Sequence, residues 1–203
     1  MQELFMAEAI KHNVLPLDDR VQVRFNATLA GRPHYMGGRT SLVLYPGMIA
    51  MKENAFIDVK NRSSSVTADL EIPTGGAWGV LLAQGGGHSG WSLYVKDNKA
   101  EFAYNFLGAV TTIASNERLP DGPVTVAYDF AYDGGKPGAG GTGTLSINGK
   151  KVGSGKLERT IPFFYGTETA DVGMDLYTPV TDHYAKGDNT FTGTIKKVTV
   201  AVK

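Results

Sequence analysis

The run Val66-Thr67-Ala68-Asp69-Leu70-Glu71-Ile72 alternates strictly between apolar and other side chains. A second run, Val124-Thr125-Val126-Ala127-Tyr128-Asp129-Phe130-Ala131-Tyr132, places its large apolar residues at every second position. Side chains of a β-strand point alternately to its two faces, so this period of two predicts strands with one face buried. The two runs therefore predict the long strands of a sheet that covers a hydrophobic core.

Short strands with turn signals between them extend from both runs. Asp97-Asn98 and Asn148-Gly149 are predicted hairpin turns, because both pairs tolerate the positive φ that a two-residue connection needs. Gly134–Gly143 (GGKPGAGGTG) is predicted to be a loop between strands. The further predicted strands are 21–25, 40–45, 55–59, 78–84, 91–96, 99–106, 109–115, 143–148, 151–157 and 190–202.

The strands lack the intervening helical patterns that a parallel sheet with crossover helices requires. The predicted fold class is therefore all-β, an antiparallel two-sheet sandwich or jelly roll with one short N-terminal helix. That helix is predicted over residues 2–12, where Met6 and Ile10 lie four positions apart. Residues 1–20 are predicted to form the helix and a linker, and residues 21–203 the sandwich domain. A helix this short is marginal alone, so we expect it to dock on the sandwich or to mediate a homodimer.

Composition excludes several classes of protein. The chain has 20 basic and 20 acidic residues and a formal net charge of zero, so a nucleic-acid partner is not expected. It has no cysteine, which rules out disulfides and thiolate chemistry. It has no apolar run long enough for a transmembrane helix, so no membrane partner is expected. Met1–His12 lacks the features of a signal peptide, and the compartment is left open.

Catalytic motifs are weak. Asp69 and Glu71 share one strand face, as a glycosidase carboxylate pair would, but the opposite face is apolar and the acids are expected on the solvated side. Only His12, His34, His88 and His183 could act as the base of a serine triad, and the chain has no Gly-x-Ser-x-Gly elbow, so a triad is not expected. No enzyme activity is therefore predicted.

Two sets of residues are candidates for binding. Asp171, Asp175 and Asp182 lie in an oxygen-rich stretch, 167–189, that could hold a structural calcium; the alternative is aspartates that form turns and caps. Sugar binding typically uses exposed aromatic faces beside polar groups. By strand parity Trp91 faces the core, which leaves Tyr94 as an exposed candidate. The candidate ligand-binding residues are Tyr94, Tyr104, Trp78, His88 and Gln84.

Ten short segments, spread from about residue 5 to residue 200, carry a resemblance to a known family. In order and spacing they resemble the C-terminal part of bacterial arylsulfatases. The matching segments are His12 to Arg20 (HNVLPLDDR), Gly38-Arg39-Thr40-Ser41, Tyr45-Pro46-Gly47-Met48, Lys60-Asn61-Arg62-Ser63, Ser92-Leu93-Tyr94-Val95-Lys96-Asp97, Tyr104-Asn105-Phe106, Tyr132-Asp133-Gly134-Gly135, Gly140-Gly141-Thr142-Gly143-Thr144-Leu145, Asp171-Val172-Gly173 and Phe191-Thr192-Gly193-Thr194-Ile195.

The resemblance implies a concanavalin A-like or laminin G-like sandwich of the lectin and glucanase type, appended to a sulfatase. The formylglycine motif Cys/Ser-x-Pro-x-Arg of that family is missing from this chain. The first hypothesis is therefore a non-catalytic accessory domain that packs on a sulfatase catalytic domain, shapes its cleft or assists oligomerisation. The alternative is a carbohydrate-binding module for plain or sulfated polysaccharides. The alternative predicts that Tyr94, Tyr104 and Trp78 lie exposed together on one sheet face.

Overall fold

Residues 1–17 and 35–203 are described by the structure, a computed structural model. The chain divides into two units, Met1–His34 and Tyr35–Lys203. In the first, helix α1 spans Gln2–Lys11 and so confirms the predicted helix. Among the described residues, no helix has the length and apolarity to cross a bilayer. The predicted strand 21–25 and the predicted boundary after residue 20 lie outside the described residues, and docking or dimerisation through α1 stays a prediction.

The second unit contains two antiparallel sheets, which confirms the predicted sandwich. The larger sheet has six strands in the order β1-β11-β2-β7-β8-β9. Its strands are β1 (Ser41–Leu44), β2 (Ser64–Ile72), β7 (Gly122–Tyr132), β8 (Ala139–Ile147), β9 (Lys150–Arg159) and β11 (Thr194–Val202).

The smaller sheet has five strands in the order β10-β3-β4-β5-β6. Its strands are β3 (Gly79–Gly85), β4 (Gly90–Lys96), β5 (Lys99–Phe106), β6 (Ala109–Ala114) and β10 (Ala170–Val172). The predicted turn at Asp97-Asn98 joins β4 to β5, with both residues at positive φ. Strand β10 was not predicted, because three residues are too few to show a period of two.

The core lies between the inner faces of the two sheets. Every second residue of β2, from Ser64 to Ile72, is buried, as the alternation predicts. Phe102 of β5 stacks on Tyr128 of β7 with a centroid distance of 3.5 Å, and on Trp91 of β4 at 6.1 Å. These rings connect the two sheets across the middle of the sandwich.

The predicted strand 55–59 is wrong. The chain forms a 3₁₀ turn at Glu53–Ala55 and then runs irregularly past the buried Phe56 and Ile57. An ion-pair network explains the difference, because Lys60 Nζ lies 2.5 Å from Glu53 Oε1 and 2.7 Å from Asp58 Oδ1. This network requires a compact turn where the apolar residues alone indicate a strand.

The predicted loop Gly134–Gly143 is correct only in its first half, because Ala139–Gly143 belongs to β8. Two glycines there lie under aromatic rings of the neighbouring strand β7. A Cβ on Gly141 would meet the Phe130 ring at 2.3 Å, and one on Gly143 would meet the Tyr128 hydroxyl at 2.5 Å. The glycines therefore make room for core aromatics, whereas a low-complexity stretch normally indicates a loop.

Candidate functional site

The outer face of the five-stranded sheet carries a second apolar cluster. All residues of β3 and nearly all of β4 are buried, which shows that both faces of these strands are covered. The outer cluster joins strand residues to Val180 and Tyr184, which come from the segment Asp175–Asn189, here called the strap. The strap thus lies over β3 and β4. The members of the cluster are Val80, Ala83, Tyr94, Ala103, Val180 and Tyr184.

A hydrogen-bonded polar cluster, here called the Tyr94 cluster, lies where the strap meets the sheet. The Tyr94 hydroxyl lies 2.7 Å from Glu101 Oε2 and 2.8 Å from His183 Nδ1. His183 Nδ1 in turn lies 2.8 Å from Glu101 Oε2. Burial and the neighbouring Glu101 raise the pKa of Tyr94 well above its ordinary value. The phenol therefore stays protonated and donates to the carboxylate.

Three elements position the Tyr94 cluster. Tyr94 on β4 is directly opposite Glu101 on β5, and His183 comes from the strap. The Thr112 side chain of β6 lies beside the Tyr94 hydroxyl, and Thr112 is exposed. The Glu101 and His183 side chains are 12% and 33% exposed. Within residues 1–17 and 35–203, Glu101 Oε1 and His183 Nε2 have no hydrogen-bond partner.

The sequence missed Glu101 and considered His183 only as one of four histidines that could act as a base. A signal for Glu101 was present, because a two-residue turn at Asp97-Asn98 places Tyr94 opposite Glu101. The position of His183 could not be found in this way, because the strap has no periodic pattern and comes from a distant part of the chain.

The expectation that Tyr94, Tyr104 and Trp78 lie exposed together is wrong. Tyr94 is on the outer face, as its parity predicts, but the strap leaves only 1% of it exposed. Tyr104 faces the core, where its hydroxyl accepts a hydrogen bond from the Ile161 backbone N–H at 2.7 Å. Trp78 is 40% exposed just before β3.

The other two candidate ligand-binding residues lie on the β3–β4 hairpin and differ in exposure. Gln84 is buried, and its Oε1 accepts a hydrogen bond from the indole Nε1 of Trp91 at 3.0 Å. This contact satisfies a core tryptophan, so the position of Gln84 does not support ligand binding. His88 is exposed in the β3–β4 loop, where its carbonyl accepts from the Gly108 N–H.

The three candidate metal ligands do not converge. Asp171 Oδ1 accepts from the Ala50 N–H at 2.7 Å, and Asp175 Oδ2 accepts from the Val180 N–H at 3.0 Å. Asp182 is exposed. In the part of the chain that the structure describes, no group of three histidines or acids is arranged to hold a metal ion. Asp171 and Asp175 match the alternative of capping aspartates, and the calcium site stays a prediction without structural support.

Asp69 and Glu71 lie on the outer face of the six-stranded sheet, as predicted. Asp69 pairs with Lys197 at 3.5 Å and Glu71 with Lys196 at 2.8 Å. All four side chains are at least one-third exposed. The acids therefore belong to a surface ion-pair row and not to a catalytic pair.

Ionisation of Asp175 gives a testable pH dependence. Burial raises the pKa of Asp175 to about 6, although Tyr184 and the Val180 N–H donate hydrogen bonds to it. The folded state therefore holds this proton more tightly than the unfolded state, and unfolding releases it between about pH 4 and pH 6. Its contribution to stability is greatest below about pH 4 and is lost as the pH rises through 6, on the order of 2–3 kcal/mol in total.

We expect Asp175→Asn to remove this dependence, because an amide oxygen accepts the same hydrogen bonds without titrating. Urea unfolding of both proteins between pH 4 and pH 7.5 measures the difference. A difference in unfolding free energy that stays constant across this range would contradict the assignment.

Fold and site together define an all-β domain, an antiparallel two-sheet sandwich of the jelly-roll type. No family model matches the chain, and no curated protein matches it. Solved structures do match. The chain is similar to the CBM40 domain of the IT-sialidase of Ruminococcus gnavus bound to α2,3-sialyllactose, with 14% identity, a TM-score of 0.54, and coverage of 79% of this chain and 91% of that one.

Two further solved structures are similar at lower scores. Domains LG4-5 of the mouse laminin α1 chain match at 14% identity and a TM-score of 0.48, over 81% of this chain and 39% of that one. The NanB sialidase of Streptococcus pneumoniae matches at 13% identity and a TM-score of 0.49, over 70% and 23%. The CBM40 comparison, with a TM-score of 0.54, supports the sandwich fold and gives no support to an arylsulfatase origin.

Proposed function

We propose that this chain is a non-catalytic glycan-binding domain that binds sugar through the Tyr94 cluster. The observation that carries the proposal is a pair of polar atoms, Glu101 Oε1 and His183 Nε2, that have no partner among residues 1–17 and 35–203 and belong to partly exposed side chains held by the buried Tyr94. Sites of this kind fix a ligand through a few rigid polar groups. Thr112, an exposed residue, places a further hydroxyl group beside that of Tyr94.

The chemistry of these atoms favours a ligand rich in hydroxyl groups. Glu101 Oε2 is already occupied by Tyr94 and His183, so the free Oε1 can only accept a hydrogen bond. A sugar hydroxyl supplies that donor, and a neighbouring hydroxyl on the same ring can bond His183 Nε2. The proposed site differs from an aromatic stacking platform, because Tyr94 acts through its hydroxyl from beneath the strap.

The fold comparison supports the same proposal. The CBM40 domain of Ruminococcus gnavus, which was solved with α2,3-sialyllactose bound, shares the sandwich with this chain at a TM-score of 0.54. At 14% identity the likeness concerns the fold alone. Sialylated glycans therefore belong among the ligands to be tested, beside neutral and sulfated ones.

The second candidate is an accessory domain that packs on a sulfatase catalytic domain. It is supported by the ordered segments that resemble arylsulfatases, and by apolar side chains of α1, among them Leu4, Phe5 and Ile10, that are exposed. It has less support than glycan binding, because the similar structure with a TM-score of 0.54 was solved with a glycan bound.

A glycan array with neutral, sialylated and sulfated members tests the proposal. For a glycan that binds, we expect Glu101→Gln to weaken the affinity about tenfold, because a hydrogen bond to a charged acceptor contributes roughly 1.5–3 kcal/mol. His183→Ala should have an effect of similar size. Glu117→Gln is the matched control, since Glu117 forms an exposed ion pair with Lys150 elsewhere. Absence of binding to all three glycan classes would overturn the proposal. Equal binding by Glu101→Gln and Glu117→Gln would also overturn it.

A further inference from the structure

The strap, Asp175–Asn189, is closed on itself by its two end residues. Asn189 Oδ1 accepts from the Asp175 N–H at 3.0 Å, and Asn189 Nδ2 donates to the Asp175 carbonyl at 3.0 Å. The same Nδ2 also lies 2.9 Å from the Ala185 carbonyl. Compact loops of about 6–16 residues with adjoining ends are Ω-loops, and they frequently carry functional residues. The strap has this architecture.

Inner contacts hold the strap in one shape. Asp175 Oδ2 accepts from the Tyr184 hydroxyl at 2.7 Å and from the Val180 N–H at 3.0 Å. Asp175 and Asn189 are each 2% exposed. Because unsatisfied buried polar groups are costly, the end residues and Tyr184 favour a single closed conformation.

The same residues fasten the strap to the sheet. The Tyr184 ring packs edge-on against Tyr94 with a centroid distance of 5.3 Å, and Val180 lies in the same outer cluster. His183 is the neighbour of Tyr184 in sequence and makes its contacts with Tyr94 and Glu101. Closure of the strap and placement of the imidazole are therefore linked through adjoining residues.

We propose that the closure of the strap by Asp175 and Asn189 positions His183 against Glu101, which makes these two positioning residues of the glycan site. The inference rests on the proposed function only in its last step, the effect on glycan affinity. Its first step, the placement of the imidazole, can be measured without any ligand. Neither Asp175 nor Asn189 touches the ligand in this arrangement; both act through the strap.

Asn189→Ala tests the inference, because it removes three hydrogen bonds of the closure and changes no residue of the Tyr94 cluster itself. We expect amide exchange of the strap to rise about tenfold or more. We also expect the imidazole nitrogen NMR signals of His183 to lose the signature of an Nδ1 hydrogen bond. Glycan affinity should fall about tenfold. Asn148→Gly is the matched control, since Asn148 bonds the Thr125 N–H in the six-stranded sheet.

A milder variant covers the case in which Asn189→Ala unfolds. Tyr184→Phe keeps the ring and removes only the hydroxyl that bonds Asp175, so a smaller change in the same direction is expected. Faster exchange of the strap with unchanged His183 signals would overturn the inference while leaving glycan binding intact. Altered His183 signals in a protein that binds no glycan would sustain the positioning role and reject the proposed function.

Discussion

Replacing Lys60 by methionine is expected to lower the free energy of unfolding by about 3–5 kcal/mol at pH 7, as loss of one partner in a buried ion pair generally does. The Lys60 side chain is only 6% exposed and contacts both Glu53 and Asp58. Methionine is similar in length and apolar, so it fills the space but leaves two carboxylates without a cation. Most of the loss in unfolding free energy should come from Glu53, whose side chain is 15% exposed. The Asp58 side chain is 41% exposed and keeps part of its hydration.

The pKa shifts in the native network give the direction of the pH effect. Burial raises the pKa of Glu53 even with Lys60 beside it. Burial alone would raise the pKa of Asp58 too, but the lysine outweighs it and lowers that pKa. Without the cation both pKa values should rise above their unfolded values, so unfolding releases protons. The stability of Lys60→Met should therefore increase as the pH falls from 7 towards 4.5.

Urea unfolding at pH 7 and pH 4.5 measures both effects. Lys150→Met is the control, because Lys150 forms an exposed ion pair with Glu117 and its loss should cost about 0–1 kcal/mol. If Lys60→Met were no more destabilised than Lys150→Met, the network would contribute little, and our explanation for the irregular course of residues 55–59 would fail.

Phe102→Ala is expected to have the second large effect, a loss of about 3–5 kcal/mol. Phe102 is 3% exposed, and its ring lies between Trp91 of its own sheet and Tyr128 of the other. Alanine would leave a cavity that neither ring can fill from its strand. The stacked contact with Tyr128, at an interplanar angle of 7°, would also be lost.

The size of this effect is checked by chemical denaturation against two variants. Phe102→Leu keeps most of the volume and should cost clearly less than alanine. Phe163→Ala should change stability by less than about 0.5 kcal/mol, because Phe163 is 49% exposed. Equal losses for Phe102→Ala and Phe102→Leu would argue against a cavity as the cause.

The sequence predicted the sandwich because its main evidence is local. Alternation in β2 and β7 depends only on which residues follow one another, and both strands have the predicted inner faces. Parity along β4 also assigned Trp91 to the core and Tyr94 to the other face. Prediction failed where tertiary contacts determine the course of the backbone. Lys60 forms ion pairs with two acids in a turn where a strand was predicted, and aromatic rings from β7 require glycines inside β8.

The candidate site was predicted only in part for the same reason. Tyr94 was identified from its strand, but its burial depends on Val180 and Tyr184, far along the chain. Nothing in the local pattern shows that Asp175 and Asn189 meet, because their hydrogen bonds link the two ends of an irregular segment. The polar cluster with Glu101 and His183 could be found only once the strap had been placed.

The cover over β3 and β4 also bears on how this domain can vary. An antiparallel sheet with one solvent-exposed face usually tolerates amino-acid substitution at every second position. The six-stranded sheet has such a face. In β4, Ser92 and Tyr94 are buried as fully as Leu93. Amino-acid substitution is therefore restricted at consecutive residues of this strand. Strands β3 and β4 thus form the middle layer of three, and new surface chemistry can be introduced more freely on the outer face of the six-stranded sheet.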